Sequence, residues 1–329
     1  MTESVPVGVF IPTATAPERI APLAASAERL GFGEVWVAED CFLSGGFAAA
    51  ALALGATHRV RVGLGVVATV TRHPAITAME IATLARAHPG RFLPGIGHGI
   101  GIWTDQMGIT PRSPLTALRE SVTTTRELLA GNSVDVEGKQ FTLRSIQLSH
   151  PPSEDVPILT GVLGRKSLEL SGEVADGTVV SILAGTRYLE FARDAIGTGM
   201  RAGGRTSHLL PTFALLSIAK DGRAAREAMR PTLGTFLSVL GPHNGLTAPY
   251  GYNEHLAELI DKGGPDVVAR EMPDEWIDEL TLSGDPDEVA AGIQRLHRAG
   301  ATSVLLSPVN PALEEDIELV ADAVLPQLG

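Results

Sequence analysis

Cysteine is almost missing from this chain of 329 residues: Cys41 stands alone, and one thiol closes no internal disulfide. Basic charge is short as well. Against 38 acidic residues stand 26 basic ones, a net of −12, so a phosphate backbone or an anionic bilayer would be repelled, and neither nucleic acid nor membrane is expected as a partner. The longest apolar runs, Phe47–Ala56 and Phe213–Ala219, fall far below the ~20 residues of a membrane helix. The opening Met1-Thr2-Glu3-Ser4 has neither a basic nor an apolar leader region, which makes the cytoplasm the expected compartment. Linkers, charge blocks and short exact repeats are also lacking, so a single domain over residues 1–329 is expected. The nine histidines form no H-E-x-x-H or H-x-H pattern, which leaves no expected metal, and the absence of G-x-S-x-G argues against an α/β-hydrolase.

What the chain does have is a recurring unit: a short β-branched run, a loop, then a helical pattern. Val7–Ile11 leads to Pro17–Leu30, Val35–Ala38 to Phe47–Ala56, Val60–Val67 to Pro74–Ala87, and Phe92–Ile96 to Pro114–Ala130. Ile158–Thr160, Thr178–Ser181, Thr212–Ala219 and Ser303–Leu306, each with a following helix, continue the series. Ser113 caps a helix that begins at Pro114, and Asp285-Pro286-Asp287-Glu288 reads as a capping box. Strands apolar on both faces, such as Val60–Val67, belong to parallel sheets covered by helices. The eight units predict an α/β fold, a (β/α)₈ TIM barrel. Its insertion segments lie near 134–155, with a hairpin around Glu137-Gly138, and near 241–280, with a polar helical stretch from Asn253 to Glu279.

Several motifs sit where a barrel keeps its chemistry, at the C-terminal ends of strands. Gly95-Ile96-Gly97-His98-Gly99-Ile100-Gly101 fails the G-x-G-x-x-G spacing at Ile100, and no helix is expected to open there. Two readings stand for it: close approach of a ligand at Gly97, or a plain turn. His98 is a candidate proton carrier or a hydrogen-bonded core imidazole. The Gly161-Val162-Leu163-Gly164-Arg165-Lys166-Ser167 stretch opens a helix after a strand, so backbone N–H groups, the helix dipole and two cations would converge on an anion; the alternative is a basic surface turn. Glu39 and Asp40 are candidate proton-transfer acids, although strand alternation sends them opposite ways. Arg72 precedes His73, which either caps the helix at Pro74 or faces a ligand.

Together these segments resemble the luciferase-like monooxygenase superfamily, in the branch that uses the deazaflavin coenzyme F420, such as methylenetetrahydromethanopterin reductase-like proteins. The resemblance rests on Gly31–Asp40, on Arg61–Val66 with Thr71–Pro74, on Gly90–Gly97, on Pro114–Glu120, on Val156–Lys166 and on Ser171–Gly177, and so spans nearly the whole chain. It implies a barrel with insertions, a homodimer, and a flavin-type ring at the C-terminal mouth. Gly65 and Val66 would back the ring through a non-proline cis bond, with Arg72, His73 and Gly97 nearby. Gly161, Leu163, Gly164, Arg165 and Lys166 would hold the phosphate, and Asp40, His98 and Glu39 are the catalytic candidates. The chain also departs from the pattern. Glu39-Asp40 stands where members oxidising sugar phosphates or alcohols have Asp-His, Ile100 where the sugar-phosphate oxidisers have Glu, and Ala68-Thr69-Val70 where many relatives have Asn-Pro-Tyr. The expected function is hydride exchange between coenzyme F420 and a small organic substrate. The alternatives are an FMN-dependent monooxygenase, or a barrel without cofactor acting as a cyclase or binding protein.

Overall fold

The computed structural model describes residues 5–329; Met1-Thr2-Glu3-Ser4, read above for a leader, lies outside the described residues. In chain order the elements are β1 (Val7–Phe10), α1 (Pro17–Arg29), β2 (Glu34–Val37), α2 (Gly46–Gly55), β3 (Arg61–Ala68), α3 (Pro74–Ala87), β4 (Phe92–Gly97), α4 (Gly101–Gln106) and α5 (Pro114–Leu129). The hairpin β5 (Val134–Glu137) and β6 (Thr142–Ile146) follows, then β7 (Leu159–Gly161), α6 (Arg165–Val174), β8 (Gly177–Val179), α7 (Thr186–Gly203), β9 (Pro211–Ile218) and α8 (Gly222–Leu240). The chain ends with α9 (Asn253–Glu271), α10 (Asp274–Leu280), β10 (Leu282–Gly284), α11 (Pro286–Ala299), β11 (Ser303–Pro308) and α12 (Leu313–Ala323). Local signals set several starts. Proline opens α1, α3, α5 and α11; Ser113 accepts from Thr116 N at 3.4 Å; and Asp285 and Glu288 complete the capping box of α11.

All neighbouring strands of the main sheet are parallel, in the order β10-β9-β11-β1-β2-β3-β4-β7-β8. Bridges from Gly177 to Leu209 and from Val180 to Thr212 join β8 to β9 and close the eight-stranded barrel. The short β10, beside the end of β9, is a ninth strand that the eight-unit reading leaves out, because Leu282-Ser283-Gly284 is too brief to show periodicity. A second difference lies after β4, where the six-residue α4 begins at Gly101 although no helix is expected there. Among the described residues no helix is long and apolar enough to cross a membrane.

Alternation divides the barrel residues between two cores. Val35, Val37, Val62 and Leu64 pack outward in the layer beneath the helices. Trp36, Leu93, Leu159, Val179, Phe213 and Leu305 fill the interior, with the Phe213 ring meeting Trp36 edge-on at 5.7 Å and Phe10 at 5.1 Å. The floor of the barrel is polar. Buried Glu34 accepts from Trp36 Nε1 at 2.7 Å and from Ser303 Oγ at 3.1 Å, and pairs with Arg61. Behind β7 and β8 runs a chain of buried hydroxyls: Thr160 Oγ1 donates to Ser171 Oγ at 2.6 Å, Ser171 meets Thr178 at 2.6 Å, and Thr178 meets His208 Nε2 at 2.8 Å. Burial pushes the His208 pKa down to about 4, with Arg205 adding to the effect.

The insertions are held by carboxylates and aromatic rings. Glu120 of α5 accepts from the N–H groups of Lys139, Gln140 and Phe141 at 2.8, 2.9 and 3.1 Å, which fixes the β5–β6 turn. In the second insertion Tyr252 stacks between Tyr250 and Trp276, at 5.3 and 4.7 Å. Tyr250 lies beside Gly185 at the head of α7, which ties this segment to the C-terminal end of the barrel.

Where β3 passes β4 the register shifts between Leu64 and Val67, and the Gly65–Val66 peptide is cis, as is Cys41–Phe42. Val66 fits because three facing residues have no side chain: a Cβ on Gly95, Gly97 or Gly161 would lie 2.7, 2.6 or 2.8 Å from a Val66 methyl. The Gly95–Gly97 part of the glycine run therefore accommodates a strand neighbour and is neither a plain turn nor a nucleotide loop. Gly161→Ala should destabilise the fold by about 1–3 kcal/mol by overpacking. In a Val66→Ala background most of that penalty should disappear, giving a coupling of about 1 kcal/mol in a double-mutant cycle followed by urea unfolding.

Candidate active site at the C-terminal mouth

Parity separates the two acids that follow β2. Asp40 reaches the end of β1, where Thr13 Oγ1 donates to its Oδ2 at 2.7 Å. Glu39 turns outward and receives Gly46 N at 2.9 Å and both terminal nitrogens of Arg72 at 2.6 and 2.7 Å. Arg72 also meets Glu80 at 3.2 Å and lies 5.3 Å from the centre of the Phe47 ring. The Glu39 hydrogen bond drives the Arg72 pKa up, while burial pushes that of Glu80 up against the pull of Arg72. These contacts correct two expectations: Glu39 and Arg72 are engaged with each other on the outer side of the barrel wall, so neither stands free in the mouth.

His73 takes the capping alternative. Its Nδ1 accepts from Ala75 N at 3.3 Å, its Nε2 lies 3.2 Å from Thr142 O, and its ring meets Phe141 edge-on at 5.8 Å, so the residue joins α3 to the hairpin. His98 bridges two elements: Nε2 lies 2.9 Å from Ser167 Oγ in the first turn of α6, and Nδ1 is buried without a hydrogen-bond partner. Burial lowers its pKa, opposed by the Pro114 backbone, and keeps the ring neutral at pH 7.

The first turn of α6 starts from Gly164, which supplies no side-chain cap, and a Cβ placed there would meet nothing within 4 Å. Among the described residues no hydrogen bond engages the N–H groups of Arg165, Lys166 and Ser167, and such uncapped donors suit an anion. The two cations do not converge on it as expected. Arg165 pairs with Asp194 at 3.0 Å and lies 5.0 Å from the Phe191 ring, both on α7. Lys166 lines a groove with Arg119, Glu120 and Glu173, on the α5 side. Leu163 contributes its carbonyl, which accepts from Tyr188 OH at 2.8 Å. The mouth therefore combines the Val66 seat over Gly97 and Gly161, an uncapped helix N-terminus, and the Thr13–Asp40 pair.

The sequence matches the family described as luciferase-like monooxygenase over residues 5–303. The chain belongs to that family. It is 30% identical over 311 residues to the 5,10-methylenetetrahydromethanopterin reductase of Archaeoglobus fulgidus, covering 92% of this chain and 93% of the relative. It is 28% identical to the F420-dependent glucose-6-phosphate dehydrogenase of Nakamurella multipartita, covering 95% and 93%. The solved structure of the coenzyme F420-dependent tetrahydromethanopterin reductase from Methanopyrus kandleri superimposes with a TM-score of 0.86 at 28% identity, over 99% of this chain and 100% of that one. This luciferase-like protein is thus an oxidoreductase built on the family's barrel.

Two side chains that matter at this luciferase-like mouth escape sequence reasoning: Thr13, the partner of Asp40, and Ser167, the partner of His98. Each lies 27 or more positions from the residue it holds, so no local spacing reveals it. Removing the outward cation tests the corrected role of Arg72. Arg72→Met would leave Glu39, only 9% exposed, without its counter-charge, and should cost about 3 kcal/mol in urea unfolding, the low end for a buried pair because Arg72 itself is 22% exposed. A loss well below 1 kcal/mol would show that the pair does not hold the wall together.

Proposed function

We propose that this protein is an F420-dependent oxidoreductase in which a hydride passes between the deazaflavin and a small organic substrate at the C-terminal mouth of the barrel. The observation that carries the reading is the pairing of an apolar seat, Val66 over Gly95, Gly97 and Gly161, with the uncapped first turn of α6. A planar ring with a phosphate side chain needs both features. The F420-dependent relatives, alike over more than nine tenths of the chain, support the same choice.

Bound there, the deazaflavin would supply a two-electron hydride donor or acceptor. The chain's own residues do the rest. Val66 and Gly65 back the ring, and the N–H groups of the α6 first turn hold the phosphate. Ser167 anchors the neutral His98 imidazole and with it the end of β4, so His98 acts as a positioning residue. The proton accompanying hydride transfer falls to Asp40, whose carboxylate Thr13 holds at the mouth. Arg165, paired with Asp194, and Lys166, beside Glu120 and Glu173 on the α5 side, take no part in the phosphate contact.

A homodimer is part of the same reading. Phe42 and Leu43 after β2, Leu52 on α2, and Ile76 and Met79 on α3 are 43–67% exposed on consecutive barrel units, and a second copy would cover them. Sedimentation velocity at micromolar concentration should give twice the chain mass of 34.5 kDa, and Met79→Asp with Leu43→Asp should give the single mass.

The cofactor is tested by separate fluorescence titrations with F420 and FMN. Micromolar F420 binding is expected; FMN binding alone would favour the monooxygenase reading, and binding of neither the cofactor-free barrel. Gly164→Asp gives a sharper outcome, because an aspartate at this position caps α6 and puts a negative charge where the phosphate belongs. The variant should be more stable by roughly a few tenths of a kcal/mol yet bind F420 at least roughly tenfold more weakly.

A further inference from the structure

The mouth has two halves of different chemistry. One arc, carried by β3, β4 and β7, presents Val66 and glycines. The other spans four adjacent strands, β9, β11, β1 and β2. On it Ser217 lies in phase with the inward Phe213, and Ser307 in phase with the inward Ser303 and Leu305. Ser217 is 6% exposed and Ser307 9%, and no hydrogen bond ties either hydroxyl to another group among the described residues. Thr13 and Asp40 follow β1 and β2 at the same end, and Thr13 engages only Oδ2 of the carboxylate.

We propose that this arc is the substrate half of the mouth, and that Ser217, Ser307 and Asp40 select an uncharged or cationic molecule rich in hydroxyl or amine hydrogens while rejecting phosphorylated or carboxylated ones. The inference rests on the mouth being the site of hydride transfer. An O–H or N–H group donates to the free Asp40 oxygen, and the serine hydroxyls donate or accept as the ligand requires. An anionic substrate meets the Asp40 charge with no cation among the inward strand positions of the arc to offset it. The nearby cations are otherwise placed: Arg72 is paired with Glu39, Arg187 lies 5.5 Å from the Tyr250 ring centre, and Lys220, past the end of β9, is exposed. In a partly buried mouth such repulsion is weakly screened, so the carboxylate sets the sign of the substrate.

Matched pairs of probes test this: glycerol against glycerol 3-phosphate, glucose against glucose 6-phosphate, and 1-amino-2-propanol against lactate. Binding is read by saturation-transfer NMR on the protein with and without F420, and turnover by loss of the 420-nm absorbance. In each pair the uncharged or cationic member should bind at least about tenfold more tightly. The Ser217→Ala/Ser307→Ala variant should lose that binding roughly fivefold while unfolding at an unchanged temperature. Asp40→Asn should narrow the preference to within about threefold. Preference for the anionic members, equal binding within pairs, no binding of any neutral or cationic probe, or an unchanged serine variant overturns the proposal. The arm without F420 keeps the pair preference readable if the coenzyme itself fails to bind, an outcome that counts against the cofactor reading alone.

Discussion

Val66 can lie against β4 and β7 only because Gly95, Gly97 and Gly161 leave the space a Cβ would take, and the mouth depends on that one close approach. It shifts the register of β3 past Leu64 and gives one side of the opening an apolar surface. The same rule operates deeper in the barrel, where a Cβ on Gly63 would fall 2.2 Å from the Trp36 ring. Glycine is used here to bring a bulky partner from the next strand inward, at the cost of its own side-chain packing.

Charge is distributed to match. Acids and bases that could compete in the mouth are neutralised against one another outside it, as in Glu39 with Arg72 and Arg165 with Asp194. A third pair, Glu34 with Arg61, closes the floor at the opposite end of the barrel. Asp40 then remains as a carboxylate at the mouth held by a neutral hydroxyl, and a single charge in such a setting dominates the local field.

Features written within a few residues were legible in the sequence. Ser113 with Pro114 and Asp285 with Glu288 read as caps and are caps, because capping is settled within one turn. The strand series gave the barrel, since a parallel strand buried on both faces has a composition of its own. Parity after β2 was readable too, though not which acid turned inward. Long side chains were not legible. Arg165 finds Asp194 29 residues away, and Arg72 finds Glu39 across 33, so their pairing depends on packing that no window spans. The strand neighbour of the glycine run was not legible for the same reason, since Val66 lies on another strand.

The hydroxyl chain behind β7 and β8 pins α6 to two neighbouring strands at a single point. Ser171 is bound to Thr160 on one strand and Thr178 on the next, and the neutral His208 closes the line. Arg165, at the uncapped end of the helix, stands six residues before that anchor, on the order of 9 Å along the axis. The anchor therefore fixes the middle of the helix against two strands, while Ser167, one turn before it, holds the ring of His98 at the end of β4.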